Sequence, residues 1–428
     1  MHAHLADPLY RTGYYLILGT GLTGVLGVVF WAVAARSYAA TVVGVNAAAL
    51  SAMTLISGVC SLGLSAVLVR YLPVAGASAR AIVKATYATT AGLSIVVGIG
   101  AAATSGFWSP SLSFLAEPAW IVGFAAATAA TTVFTLQDSV LTGLRAAQWI
   151  PIENSLYATA KLVLLLALVG VLPHSGPFIA WNAPLLIAIV LVNFLVFGRL
   201  VRGLETAGTI DRRSVLRMAA GNYGGNLFSL IGNLFLPILV TNVASPAEAA
   251  YFYVPWLISL SLELVALNVT TSLTVEAALE PARLRVLTRR ALRHTMSMVI
   301  PLSLLTAVGA PWLLLIFGSG YADVGTPLLR VLILGMIPNV FVALGISVAR
   351  IEHRGSILFV VPAVSCFLVL GISAGLLPRL GIVAVGVAWT ATQALLALCL
   401  LGGILRPLLS RRDEPAVDDR APRNRGGA

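Results

Sequence analysis

Runs of about twenty apolar residues, each long enough to cross the hydrocarbon core of a bilayer as a helix, dominate this chain. Twelve are readable, at 13–35, 42–69, 85–106, 119–141, 156–172, 177–198, 219–242, 247–273, 296–317, 326–349, 356–377 and 381–405. The fifth and sixth are separated only by Pro173, His174, Ser175, Gly176 and Pro177. With 59% hydrophobic and 10% charged residues and a mean hydropathy of +0.95, the chain lies far from the composition of a soluble globular domain. The reading is an all-α integral membrane protein of the cell (plasma or inner) membrane. The first run is long enough to span and is followed by more spans, so an uncleaved signal anchor is expected rather than a cleaved signal peptide.

The net charge of +11 would suggest nucleic acid on a soluble protein. Here the basic residues fall between apolar runs and at their ends, and no soluble stretch is long enough to build a groove-reading domain. Arg199, Arg202, Arg212, Arg213 and Arg217 crowd one mid-chain loop, and such a loop is retained on the cytoplasmic side. With that loop inside and spans alternating, all of the 27 basic residues except Arg36, Arg330 and Arg379 fall on the cytoplasmic side or at inner helix ends. Both termini are therefore expected in the cytoplasm, with an even number of spans.

Shifting the sequence by about 208 residues lays Thr12-Gly13-Tyr14-Tyr15 over Ala220-Gly221-Asn222-Tyr223, and the basic cluster Arg80–Lys84 near Arg289–Arg293. Arg145, after the fourth span, falls near Arg350 and Arg354 at the end of the tenth. Each half then has six spans starting inside, so the halves are related by an axis along the membrane normal. The expected object is two six-helix lobes around a central cavity: residues 1–198, a basic linker 199–218, residues 219–405, and a disordered cytoplasmic tail 406–428. The external connections, such as Arg36–Thr41 and Gly318–Gly325, are too short to form a domain.

Gly19, Gly21 and Gly24 match a dinucleotide-binding pattern, but they lie inside an apolar span and follow no strand, so the phosphate-loop reading fails its context. Gly19, Thr23 and Gly27 instead make a small-residue stripe for close helix approach. Cys60, Cys366 and Cys399 sit in apolar runs without metal-ligand spacing. His2, His4, His174, His294 and His353 are in termini or loops with no nucleophile beside them. No catalytic constellation, cofactor or metal site is indicated.

Polar groups inside spans are costly in hydrocarbon and face protein or a watery cavity. In the seventh span Asn222, Asn226, Ser229 and Asn233 share one helical stripe, followed by Pro237. Ser259, Glu263, Ala266 and Thr270 make a second stripe in the eighth, and Thr131, Thr135, Asp138 and Thr142 a third in the fourth. The stripes serve either as interhelical glue or as the lining of one cavity. Glu263, a lone carboxyl near mid-span, reads as functional. Asp138 lies nearer the inner end, where Arg145 or Lys161 could neutralise it. Lys161 shares a face of the fifth span with Asn154 and Tyr157. Arg70, Arg145, Arg350 and Arg354 end spans on the inside, where they orient the protein and together form a basic ring attractive to an anionic head group. Arg36 and Arg330 oppose that bias at the outer ends of their spans.

The segments Arg11-Thr12-Gly13-Tyr14-Tyr15, Ala34-Ala35-Arg36-Ser37-Tyr38, Val43-Gly44 and Leu62-Gly63-Leu64-Ser65-Ala66-Val67-Leu68-Val69-Arg70-Tyr71-Leu72-Pro73 resemble the amino-terminal half of the polysaccharide-biosynthesis (Wzx-like) flippases. These belong to the multidrug/oligosaccharidyl-lipid/polysaccharide exporter superfamily. Phe317-Gly318, Tyr321 and the span ending at Arg350 are similar to that family's carboxyl-terminal half. The resemblance implies alternating access that moves an isoprenoid-pyrophosphate-linked oligosaccharide from the inner to the outer leaflet, for lipopolysaccharide or other polysaccharide assembly. It implies H+ or Na+ coupling and work alongside a polysaccharide polymerase and glycosyltransferases. On that reading Arg36, Arg70, Arg145, Lys161, Arg330 and Arg350 meet the anionic group, Asn222, Asn226 and Asn233 meet sugar hydroxyls, and Glu263 with Asp138 couples the ion. The mid-span positions hold fewer cations than a pyrophosphate carrier would use. The alternatives are a multidrug/cation antiporter of the same architecture, a membrane glycosyltransferase or polymerase, which the missing external domain disfavours, and a non-transporting envelope-assembly scaffold.

Overall fold

The computed structural model describes residues 24–201, 212–279 and 281–409. Residues 13–23 of the first predicted span, the GxGxxG pattern up to Gly21, residues 202–211 of the linker and the tail beyond Leu409 lie outside the described residues. Every regular element in the described part is helical: α1 (Gly24–Ser37), α2 (Ala40–Cys60), α3 (Leu64–Tyr71), α4 (Ala79–Ala103), α5 (Ser105–Trp108), α6 (Pro118–Gly143), α7 (Trp149–Leu168) and α8 (Gly176–Leu195) in the first half. The second half holds α9 (Arg212–Val243), α10 (Pro246–Leu279), α11 (Leu284–Leu315), α12 (Ser319–Leu334), α13 (Met336–Ile351), α14 (Gly355–Leu380), α15 (Val383–Gly402) and the single turn α16 (Arg406–Leu409).

Ten of these helices are long and apolar enough to cross a membrane, and α12 with α13, bent by 43°, makes an eleventh. Together with α1 they account for each of the twelve predicted runs. The fifth and sixth runs are two separate helices, α7 and α8. Two runs are broken rather than continuous. Leu62 and Gly63 adopt successive left-handed conformations, φ 52° and 67°, which ends α2 and restarts the chain as α3. The tenth run bends at Gly335, where an added Cβ would run into the Trp389 ring. The predicted external connection Gly318–Gly325 is shorter than expected, because α12 begins at Ser319.

Lipid offers no hydrophobic drive for helix association, so close packing and interhelical hydrogen bonds must hold the bundle. The first half is tied by Ser94 and Thr132, whose hydroxyls lie 2.7 Å apart, and by Thr132 donating to the Ser57 hydroxyl at 3.0 Å, which joins α4, α6 and α2. Asn46 of α2 donates to the His174 carbonyl and accepts from the Phe178 amide that opens α8.

α2 is the seam between halves, packing on α6 on one side and on α9 and α10 on the other. Its buried face, Ala47, Ala48, Ala49 and Ala52, carries side chains small enough for that approach. At Gly44 there is no room for any side chain, since the Pro246 carbonyl occupies the place of a Cβ.

Candidate functional site

A cavity of 840 Å³ is cut into the second half, and all of its lining residues lie between Gly224 and Gln393. α9 contributes Asn226, Ser229 and Asn233, the polar stripe of the seventh span, and α10 contributes Glu263. Arg350, at the end of α13, supplies a cation. The side chain of Asn222 lies outside the described residues. Four site residues picked out in the sequence, Asn226, Asn233, Glu263 and Arg350, are thus brought together.

Further lining comes from residues that periodicity did not single out. Asn339 of α13 donates to Glu263 Oε1 at 3.2 Å, holding the carboxyl in place. Trp256 and Trp389 meet edge to face, with centroids 6.4 Å apart. Gln393 presents a side-chain oxygen with no partner. Asn339 and Gln393 are each the only amide in their stretch of span, so no stripe announced them. The lining thus combines an exposed arginine, amides and hydroxyls, two buried indoles and a carboxyl.

The stripe Thr131, Thr135, Asp138 and Thr142 does not reach this cavity, because α2 stands between α6 and the second half. Thr131 is turned onto α2, its hydroxyl 3.6 Å from Met53 Sδ. Lys161 is also kept out. Its side chain is 2% exposed, and its ammonium lies 3.7 Å from the Trp181 ring centroid, with Tyr157 and Phe30 at 5.1 and 5.4 Å. Those rings provide a cation–π enclosure where the sequence suggested a carboxylate partner. Arg70 is exposed in the last turn of α3, and Arg145 is exposed at the end of α6. Neither lines the cavity.

Arg36 ties the two halves together at the end remote from Arg350. Its guanidinium donates from Nε to the Ile316 carbonyl at 2.6 Å and from Nη2 to the Leu315 carbonyl at 3.0 Å, capping α11. A cation on the carbonyls of a last turn is favoured by the negative end of the helix dipole. The same end is sewn by Ser109, whose hydroxyl donates to Asn242, and by Asn242 donating to the Trp108 carbonyl at 2.9 Å. Trp31 packs on Tyr253 across the halves with centroids 4.7 Å apart. Arg330 instead stays within the second half and donates to the Ala307 carbonyl. One end of the bundle is thus closed between the halves, while the cavity reaches the end where Arg350 lies.

No protein-family model matches the chain, and no curated protein sequence matches it. Solved structures do match over nearly its whole length. An inward-facing multidrug resistance MATE family transporter of the MOP superfamily aligns with a TM-score of 0.68 at 15% identity, covering 93% of this chain and 99% of the other. The lipid II flippase MurJ in its inward closed conformation gives 0.72 at 12% identity, covering 91% and 87%. A MOP superfamily transporter from Pyrococcus furiosus, described as having a binding pocket of reversed polarity, gives 0.64 at 13%, covering 94% and 96%. The chain therefore has the multi-pass membrane fold shared by the MATE transporters and MurJ.

Proposed function

We propose that this protein is a transporter that flips an isoprenoid-pyrophosphate-linked oligosaccharide between leaflets for cell-surface polysaccharide assembly. The observation that carries the reading is the lining of the cavity, which combines the exposed Arg350 with the amides of Asn226, Asn233, Asn339 and Gln393. Amide side chains pair with sugar hydroxyls as donor and acceptor at once, and indole faces suit the apolar side of a sugar ring. An exposed guanidinium suits a pyrophosphate. The lipid tail stays in the bilayer. Arg36 at the sealed end and Arg70 and Arg145 at the other are assigned to the anion's path, Lys161 and Arg330 to contacts made in another conformation, and Glu263 and Asp138 to ion coupling. The basic ends are placed in the cytoplasm by the retention of positive charge.

Support from fold comes equally from MurJ, a lipid II flippase, and from the multidrug MATE transporters. A specific observation favours the second reading, a drug/cation antiporter. Glu263 lies in a cavity that Trp256, Trp389 and Leu260 also line, an acid near apolar and aromatic groups that suits an organic cation.

One experiment separates them. Isoprenoid-linked glycans are analysed by mass spectrometry before and after depletion of the protein, and the leaflet of any accumulated species is tested with an external glycosidase. A protected lipid-linked glycan that accumulates supports flipping and names the cargo. No accumulation, with lost efflux of a cationic dye, moves the assignment to the antiporter.

A further inference from the structure

Lys161 is seated in a box of rings rather than on an acid. Its ammonium lies 3.7 Å from the ring centroid of Trp181 on α8, 5.1 Å from that of Tyr157 one turn earlier on α7, and 5.4 Å from that of Phe30 on α1. Three helices thus contribute one ring each. The other charged side chain of α7, Glu153, is buried a little over two turns away. Neither of its carboxyl oxygens makes a hydrogen bond, so it does not hold the ammonium.

The box does not depend on the lysine for its shape. Phe30 and Trp181 meet nearly edge to face with centroids 5.1 Å apart, and both touch Trp31, at 5.5 and 6.1 Å. The Tyr157 hydroxyl donates to the Trp181 carbonyl at 2.9 Å, which fixes α7 against α8, and the Tyr157 ring leans on Phe134 of α6 at 5.1 Å. Rings held by one another and grouped within about 6 Å of one cation are the arrangement that recognises alkylammonium groups. Being assembled beforehand, they spare a ligand the cost of ordering them. An anion would meet the negative faces of the same rings and gain nothing.

We infer that Phe30, Tyr157 and Trp181 form a site for a primary alkylammonium ion, which Lys161 fills from within as a tethered ligand and so closes to organic cations. With that side chain seated and 2% exposed, a free amine enters only by displacing it. Lys161 is then a specificity determinant that sets the first half against cationic cargo, whereas the aromatic lining near Glu263 belongs to the second half. The inference goes beyond the proposed flipping and does not depend on which cargo is carried.

Lys161→Ala removes Cγ, Cδ, Cε and Nζ, which together are the heavy atoms of n-propylammonium, so that ion is the probe. The purified full-length protein in detergent is titrated with radiolabelled n-propylammonium and with its uncharged counterpart n-propanol, and thermal unfolding is followed alongside. Lys161→Ala is expected to gain saturable n-propylammonium binding and a raised unfolding temperature, and to gain neither with n-propanol. Wild type should respond to neither. Adding Trp181→Leu to Lys161→Ala should weaken the acquired binding by about tenfold. Amine labelling tests the seat of the lysine itself, since Lys84 and Lys161 are the only lysines in the sequence and Lys84 is exposed. A water-soluble acetylating ester should modify Lys84 and spare Lys161 in wild type, and should reach Lys161 in Trp181→Leu. That labelling carries the test if Lys161→Ala does not fold. Folded Lys161→Ala that binds n-propylammonium no better than wild type does, or binds n-propanol equally well, overturns the site. So does a Lys161 that is labelled like Lys84 in wild type or stays protected in Trp181→Leu. Cargo takes no part, so every outcome leaves the flippase assignment to the glycan analysis.

Discussion

Arg145 and His353 stand 208 residues apart and hold the same left-handed backbone, φ 56° and 55°, each just past the end of a helix. The bonds around them match. Ala146 N donates to Leu141 O and Arg354 N to Ala349 O, both at 2.8 Å, so α6 and α13 end in the same six-to-one C-cap. Neither residue is the glycine such a position prefers. The two caps fall in register with the offset of about 208 residues read from the sequence.

Glycine at these caps should therefore stabilise. Arg145→Gly relieves a strained φ and is expected to raise stability by about 0.5–1 kcal/mol, while the β-branched Arg145→Val should cost about 1–2 kcal/mol. Unfolding in detergent with a fluorescent thiol dye would measure both. If Arg145 binds an anion, Arg145→Gly should also impair flux, which separates its charge from its backbone role.

Lys161 gives a prediction of opposite signs. A buried ammonium with aromatic rings and no acid partner is expensive, and replacing buried charge by a packed apolar side chain is commonly neutral or stabilising by about 1–4 kcal/mol. Lys161→Met should therefore unfold at a higher temperature than wild type. Loss of flux in the same, more stable variant would establish that the charge is kept for transport.

The spans were legible because twenty consecutive apolar residues admit little else in a bilayer. Their interruptions were less so. The Trp389 ring that leaves no room for a side chain at the Gly335 bend belongs to α15, two helices further along the chain. Part of the cavity was visible as the α9 stripe, since 3.6-residue periodicity groups residues within one helix. Asn339 and Gln393 join it only through packing of different helices. Glu153 was missed for a plainer reason: the fifth run was drawn from residue 156, whereas α7 starts at Trp149 and carries that carboxyl into the buried part of the bundle. The apolar opening Trp149-Ile150-Pro151-Ile152 was the available signal.

Glu263→Gln preserves shape and can still meet Asn339, but it removes a titratable group. Folding should be retained. Transport should become insensitive to the imposed ion gradient, measured in proteoliposomes with the gradient set in either direction. Wild-type gradient dependence in this variant would remove Glu263 from coupling.

The seal at the far end predicts how the halves part. Arg36 bonds the Ile316 carbonyl and shares the Leu315 carbonyl with the Gly318 amide at the end of α11, and Gly44 allows α2 to reach the Pro246 carbonyl. Arg36→Gln should loosen the seal without unfolding either half. Gly44→Ala forces a methyl group into backbone and should cost about 1–3 kcal/mol in the sealed state, so it too should favour opening there. The readout is Cys366, which lines the cavity, with Cys60 and Cys399 replaced by serine. In wild type a membrane-impermeant thiol reagent should reach Cys366 from the side of Arg350 only, and in both variants labelling from the Arg36 side should rise severalfold. Unchanged one-sided labelling would show that contacts other than Arg36 and Gly44 hold that end shut.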